Sequence, residues 1–117
     1  MQVTVYHNPR CSKSRETVKL LEENHIDFTT RLYLQDVPGQ AEIKELVKLL
    51  GFSSVRELMR IKESTYKALN LKEEKDDNKL IEAMVKNPQL IERPIVVVDN
   101  QAAVIGRPPA SVLALFE

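Results

Sequence analysis

The sequence has a single cysteine, only three glycines and no tryptophan among its 117 residues. One cysteine excludes an internal disulfide and a zinc site built from several thiolates. If this cysteine carries out redox chemistry, the second thiol must come from another molecule. No apolar run approaches the roughly 18–20 residues needed to cross a bilayer, which argues against a membrane protein.

An excess of either charge is missing too. Lys plus Arg and Asp plus Glu both number 17, so the formal net charge is zero. This balance argues against nucleic-acid or membrane binding as the main role, but it leaves room for a local basic pocket. Residues 1–5 lack the basic start and apolar stretch of a signal peptide, so we expect a cytoplasmic location. Length and a hydrophobic fraction of 43% predict one globular domain over residues 1–117.

The first third of the chain predicts a βαβ unit. Alternating apolar residues indicate a strand that ends near His7, and helical spacing starts at Ser12 or Lys13 and continues to about Asn24. Residues 27–34 read as a second strand. A crossover helix between two strands favours parallel pairing and a right-handed connection.

The middle of the chain predicts several helices. Gly51 is well placed to end the first of them. Ser54 and Glu57 have capping-box spacing, so the next helix should begin there and continue through Arg60. Seven of the eight residues 72–79 are charged, which indicates a solvated loop with a helix cap within residues 76–78.

The last part of the chain predicts a β-hairpin and a terminal helix. Residues 94–98 are the most strand-like run, residues 102–105 form the returning strand, and apolar residues within 112–116 line the helix. The order βαβ, helices, ββα resembles a thioredoxin-like fold. The expected class is therefore α/β, with a mixed sheet and a helical insertion between the βαβ half and the ββα half.

Cys11 lies on the predicted strand-to-helix turn. Backbone N–H groups and the positive end of the helix dipole stabilise a thiolate at such a position. A free cysteine is often only a small buried hydrophobe, but Arg10 and Arg15 favour an exposed, electropositive loop and a reactive thiol. Spacing excludes two chemistries, because Ser14 replaces the second cysteine of Cys-x-x-Cys and Thr17 replaces the arginine of the phosphatase Cys-x5-Arg.

Residues 7–15, His-Asn-Pro-Arg-Cys-Ser-Lys-Ser-Arg, resemble the active-site sequence of the glutaredoxin-coupled arsenate reductase family. Three later segments match as well: residues 58–60 (Leu-Met-Arg), 92–97 (Glu-Arg-Pro-Ile-Val-Val) and 106–109 (Gly-Arg-Pro-Pro). The resemblance covers nearly the whole chain in the same order. One departure is that well-studied reductases commonly have Cys-Gly-Thr-Ser-Arg where this chain has Cys-Ser-Lys-Ser-Arg.

The resemblance implies that Cys11 attacks arsenate to form a thioarsenate adduct, which glutathione and glutaredoxin resolve to release arsenite. It implies a supporting role for His7 in lowering the pKa of the thiol, and a cis-proline at Pro94 facing the cysteine. Glutathione would be a co-substrate, and neither a bound cofactor nor a metal is implied. The oxyanion and substrate-binding residues that it implies are Arg60, Arg93, Arg107, Ser14 and Arg15.

Elementary chemistry agrees with this assignment, because forked guanidinium donors suit a tetrahedral oxyanion such as arsenate. Three alternatives stay open on the sequence. His7 could be a strand-end residue with no part in catalysis. The chain could be a glutathione-linked monothiol reductase or transferase acting on another substrate. It could also be a non-catalytic regulator of the Spx type, although such regulators commonly keep a Cys-x-x-Cys switch that Ser14 removes.

Overall fold

A computed structural model describes residues 1–117 and contains two compact units. The first unit comprises Met1–Asp36 and Arg93–Glu117, and the second comprises Val37–Glu92. The second unit is the helical insertion expected between the two halves. The single domain over residues 1–117 remains a prediction.

The first unit is built on a four-stranded sheet. Its strands are β1 (Val3–Tyr6), β2 (Thr29–Arg31), β3 (Ile95–Val98) and β4 (Ala102–Ile105). They lie in the order β2-β1-β3-β4, with β1 and β2 parallel and the β1–β3 and β3–β4 pairs antiparallel. This topology confirms the predicted mixed sheet, in which a βαβ half is joined to a β-hairpin half.

Strand β2 is much shorter than the predicted strand over residues 27–34. The cause is a turn directly after Arg31. The N–H groups of Gln35 and Asp36 both donate to the carbonyl of Leu32, at 3.0 and 2.8 Å. These hydrogen bonds take the chain away from the sheet, so residues 32–34 extend no ladder.

Helix α1 (Ser12–Glu23) and a terminal 3-10 helix (Pro109–Phe116) pack against each other beside the sheet. The predicted terminal helix is therefore present, but in the tighter 3-10 form. Each fully buried Val or Leu contributes up to about 1.5–3 kcal/mol through the hydrophobic effect. The core that these elements share consists of Val3, Val5, Leu21, Val96, Val98 and Val112.

The insertion contains helices α2 (Gln40–Leu49), α3 (Ser64–Ala68) and α4 (Asp77–Lys86). Gly51 follows α2 with a φ of 72°, which confirms it as the residue that ends this helix. The Asp76 side chain accepts the Asn78 N–H at the start of α4, as the charged run predicted. None of the helices combines the length and the apolar character that a membrane span requires. Short 3-10 helices cover Val55–Leu58, Leu71–Glu73 and Pro88–Leu90.

The predicted capping box is present, but the helix that follows it ends early. The Ser54 hydroxyl accepts the Arg56 N–H at 3.2 Å, and the Glu57 carboxylate accepts the Ser54 N–H at 2.9 Å. The expectation that this helix continues through Arg60 is wrong. The backbone there pairs with the segment before residue 93 instead, because the Arg60 N–H donates to the Leu90 carbonyl at 2.7 Å.

Candidate active site

Cys11 is the N-cap residue of α1, in an extended conformation with φ −92° and ψ 125°. The loop that presents it is organised by Asn8, which is almost fully buried. The Asn8 carbonyl accepts the Cys11 N–H, and its side-chain oxygen accepts the Arg10 N–H, both at 3.0 Å. Asn8 is not among the site residues expected from the sequence, although the dipeptide Asn-Pro is a strong turn signal. The turn leaves the thiol partly exposed.

The surroundings of Cys11 lower the pKa of its thiol. Partial burial alone would raise the pKa, but the N–H of Ser14, the side chain and charge of Arg93 and the N–H of Lys13 outweigh it. The first turn of α1 contains no acidic residue that would compete for the positive end of the helix. A larger fraction of Cys11 is therefore the nucleophilic thiolate at neutral pH than for a free cysteine.

His7 acts on this turn through Ser14. The Ser14 side chain is fully buried, and its hydroxyl lies 2.6 Å from His7 Nδ1 while it accepts the Asn8 N–H at 3.0 Å. Burial and the charge of Arg15 lower the pKa of His7, which favours the neutral imidazole. Nδ1 of the neutral ring can accept a hydrogen bond from the Ser14 hydroxyl. Ser14 thus directs its hydroxyl to His7 and to the Asn8 N–H, and the substrate-binding role implied for it remains a prediction. Its contribution to the thiolate comes from the backbone N–H.

Two Arg-Pro segments lie side by side near Cys11. The Arg93–Pro94 peptide bond is cis, the isomer that the family resemblance implied, and Arg107–Pro108 is also cis. The Gly106 N–H donates to the Pro94 carbonyl at 2.9 Å, and Arg107 Nη1 donates to the Arg93 carbonyl at 3.3 Å. Arg93 Nε is buried and has no hydrogen-bond partner. A buried donor of this kind, on a side chain that reaches the reactive sulfur, is available to a bound anion.

Gly106 holds these segments against α1, a role that the sequence analysis did not assign. A Cβ atom at this position would lie 2.5 Å from Thr17 Oγ1 and 2.8 Å from Pro94 Cγ. Only glycine therefore permits this close approach. The signal in the sequence was a glycine between a predicted strand and an Arg-Pro pair.

The other basic candidates have partners of their own. Arg15 Nη1 donates to the Pro9 carbonyl at 3.0 Å and so braces the cysteine loop. Arg60 lies in the insertion, where it pairs with the carboxylates of Glu63 at 3.5 Å and Glu92 at 3.1 Å. The roles of His7, Ser14, Arg15, Arg60 and Arg107 toward a substrate remain predictions.

The fold and the site define a thioredoxin-like protein with one cysteine of lowered pKa beside an arginine whose buried Nε has no hydrogen-bond partner. Comparison with known families identifies the particular group. The family model described as the ArsC family matches residues 6–115, and the chain belongs to this family.

Similar proteins cover 97% or more of this chain. The uncharacterized protein YfgD of Escherichia coli K12 is 53% identical over 97% of this chain and 96% of its own length. The arsenate reductase of Haemophilus influenzae is 45% identical over 99% of this chain and 100% of its own. The solved structure of the arsenate reductase from Vibrio cholerae is 49% identical, covers 97% of both chains and has a TM-score of 0.94. The fold is thus the thioredoxin-like fold of ArsC proteins.

Proposed function

We propose that this protein reduces arsenate to arsenite, with Cys11 as the nucleophile and with glutathione and glutaredoxin as the reductants. The observation that carries the proposal is a partly exposed thiol of lowered pKa next to Arg93, whose buried Nε has no partner. Membership of the ArsC family and full-length relatives named arsenate reductases support arsenate as the anion. A cytoplasmic location is part of this proposal, because the reaction needs thiols kept reduced.

In this proposal, arsenate binds as an oxyanion to the side chain of Arg93. Arg107 lies against the Arg93 backbone and adds positive charge to the same end of the sheet unit. Arg60 is the third guanidinium that the family resemblance assigns. The charge of Arg93 and Arg107 offsets the negative charge that builds up on arsenic oxygens when a thiolate attacks.

The first two steps replace oxygen by sulfur at arsenic without a change of oxidation state. The Cys11 sulfur attacks As(V), an As–S bond forms, an As–O bond breaks, and the oxygen leaves as water. Glutathione then displaces a second oxygen in the same way. The product is a mixed adduct in which arsenic(V) carries the sulfurs of both Cys11 and glutathione.

The third step moves two electrons to arsenic. A glutaredoxin thiolate attacks the glutathione sulfur, the As–S bond to glutathione breaks, and its electron pair stays on arsenic, which becomes As(III). The glutaredoxin sulfur and the glutathione sulfur that it attacks form a glutaredoxin–glutathione disulfide. Water then displaces the Cys11 sulfur, which releases arsenite and restores the thiol. The net change is arsenate plus two thiols to arsenite, one disulfide and one water.

The test is arsenate-dependent NADPH oxidation in the presence of glutathione, glutaredoxin and glutathione reductase. We expect activity in the wild-type protein and none in Cys11→Ser, because serine is a far weaker nucleophile. Arg93→Gln should raise the KM for arsenate and lower kcat, because one group serves both binding and charge stabilisation. Lys19→Gln is the charge-matched control and should change neither constant, since Lys19 is an exposed residue of α1 that pairs with Glu23 at 3.9 Å.

Wild-type protein that is inactive with arsenate yet active in a glutathione-dependent thiol-transfer assay would contradict the proposal. It would assign the protein to the monothiol reductases of another substrate.

A further inference from the structure

A cleft of about 330 Å³ lies beside the cysteine loop and within the sheet unit. Residues 7–10 form one wall, and the turn after β2, with Leu32, Leu34 and Gln35, forms the other. Arg10, the last residue of the first wall, directly precedes Cys11, and the Cys11 N–H donates to the Asn8 carbonyl of that wall. Cys11 itself does not line the cleft. Its volume is at the lower end of the roughly 300–1,000 Å³ typical of small-molecule sites.

The turn after β2 gives the cleft an apolar wall. Leu32 and Leu34 are 37% and 39% exposed, whereas Tyr33 between them is fully buried. The turn is held by its two hydrogen bonds to the Leu32 carbonyl, and the His7 N–H ties the opposite wall to Arg31 at 2.9 Å. The two leucines thus give this side of the cleft a small apolar surface on a turn that the hydrogen bonds hold in place. The protein exposes few large apolar side chains, which are Met1, Leu32, Leu34, Ile61 and Leu69.

Arg10 gives the cleft a free positive charge. Its side chain is exposed and makes no ion pair or hydrogen bond; only its backbone N–H is engaged, by Asn8. The nearby Arg31 differs, since it pairs with Asp36 at 3.0 Å. A ligand that carries a carboxylate therefore finds a guanidinium with no competing partner at the rim.

We propose that this cleft is the subsite for the thiol co-substrate, and that it takes a short thiol peptide with a free carboxylate, of the glutathione class. The inference rests on the proposed function. Leu32 and Leu34 contact the apolar part of the peptide, the Gln35 amide bonds its backbone, and Arg10 pairs with a carboxylate. The peptide sulfur then lies toward Cys11, where it displaces an arsenic oxygen as water in the second step described above.

Binding can be tested without any arsenate chemistry. S-methylglutathione, which cannot react, is titrated into ¹⁵N-labelled Cys11→Ser protein. We expect chemical-shift changes at residues 7–10 and 32–35. Arg10→Gln should weaken the binding about tenfold through the loss of one charge-assisted hydrogen bond, and Arg10→Lys should recover most of it. Leu34→Ser should weaken binding as well, whereas Leu69→Ser, an exposed leucine of the insertion, should not.

Steady-state kinetics supply the second readout. Arg10→Gln and Leu34→Ser should raise the KM for glutathione and leave the KM for arsenate unchanged. Shift changes confined to residues outside both walls would overturn the subsite. A raised KM for glutaredoxin with unchanged peptide binding would also overturn it, and would make the cleft a protein-docking face. Peptide binding in the cleft of a protein that is inactive with arsenate would uphold the subsite and refute only the proposed substrate.

Discussion

Gly106→Ala is expected to destabilise the protein through one identifiable clash. The added Cβ would lie 2.5 Å from Thr17 Oγ1 and 2.8 Å from Pro94 Cγ. Neither group can easily give way, because Thr17 is fully buried and donates to the Lys13 carbonyl at 2.8 Å, while Pro94 is a buried ring that starts the β3 segment. Overpacking of this kind costs about 1–3 kcal/mol.

Urea and thermal denaturation measure this cost directly. At about 4 °C per kcal/mol for a domain of this size, Tm should fall by about 4–12 °C with an unchanged urea m-value. Gly39→Ala is the matched control, because a Cβ there would meet no atom within 4 Å. It should change the free energy of unfolding by less than about 1 kcal/mol, as expected for an N-cap position.

A double-mutant cycle assigns the cost to Thr17. Thr17→Ala removes Oγ1, so the double variant Gly106→Ala/Thr17→Ala should be more stable than the sum of the two single changes predicts, by about 0.5–2 kcal/mol. The alkylation rate of Cys11 should fall in Gly106→Ala, since the displaced Pro94 adjoins Arg93. Equal stability of Gly106→Ala and wild type, or strict additivity in the cycle, would refute the packing argument.

Two further predictions concern titration and backbone conformation. The pKa of Cys11 is lower in the folded than in the unfolded chain, so ionisation of the thiol stabilises the fold fully above the ordinary thiol pKa, and this stabilisation is lost as pH falls through the folded pKa. The free energy of unfolding, measured at several pH values, should therefore fall with decreasing pH in wild type relative to Cys11→Ser. In Arg93→Gln, the midpoint of the alkylation rate against pH should move to higher pH. His25 occupies a left-handed conformation with φ 57° after α1, so His25→Gly should stabilise the protein by about 0.5–1 kcal/mol in urea denaturation. Gly51→Ala, the same position after α2, should destabilise it by a similar amount.

The parts of the fold that local patterns encode were predictable. The alternation in β1, the hairpin of β3 and β4 and the glycine at the end of α2 all follow from side-chain period and turn chemistry. The predicted second strand is longer than β2 because the apolar pattern of residues 32–34 is the same whether these residues pair in a sheet or form a turn outside it. Only the hydrogen bonds to the Leu32 carbonyl distinguish the two cases.

The site was predictable in its residue types but not in its contacts. A basic loop at a helix start predicts a stabilised thiolate, and Cys11 has one. The direction of each serine hydroxyl depends on how the first turn of α1 packs. The sequence could therefore not show that the Ser14 hydroxyl faces His7. The function of Gly106 was hidden for the same reason, since its neighbours Thr17 and Pro94 are distant in the sequence.

The geometry of the first turn explains how Ser12 and Lys13 are accommodated where well-studied reductases have glycine and threonine. Ser12 is the first residue of α1 and is not among the residues with positive φ, so the backbone there does not require glycine. Lys13 pairs with Glu16 at 3.6 Å, and its charge is therefore partly offset within the helix. The hydrogen bonds that residues 13 and 14 donate to the Cys11 sulfur come from backbone N–H groups, which are present with Ser12 and Lys13 as well as with glycine and threonine. The departure thus leaves the thiolate-stabilising part of the site intact.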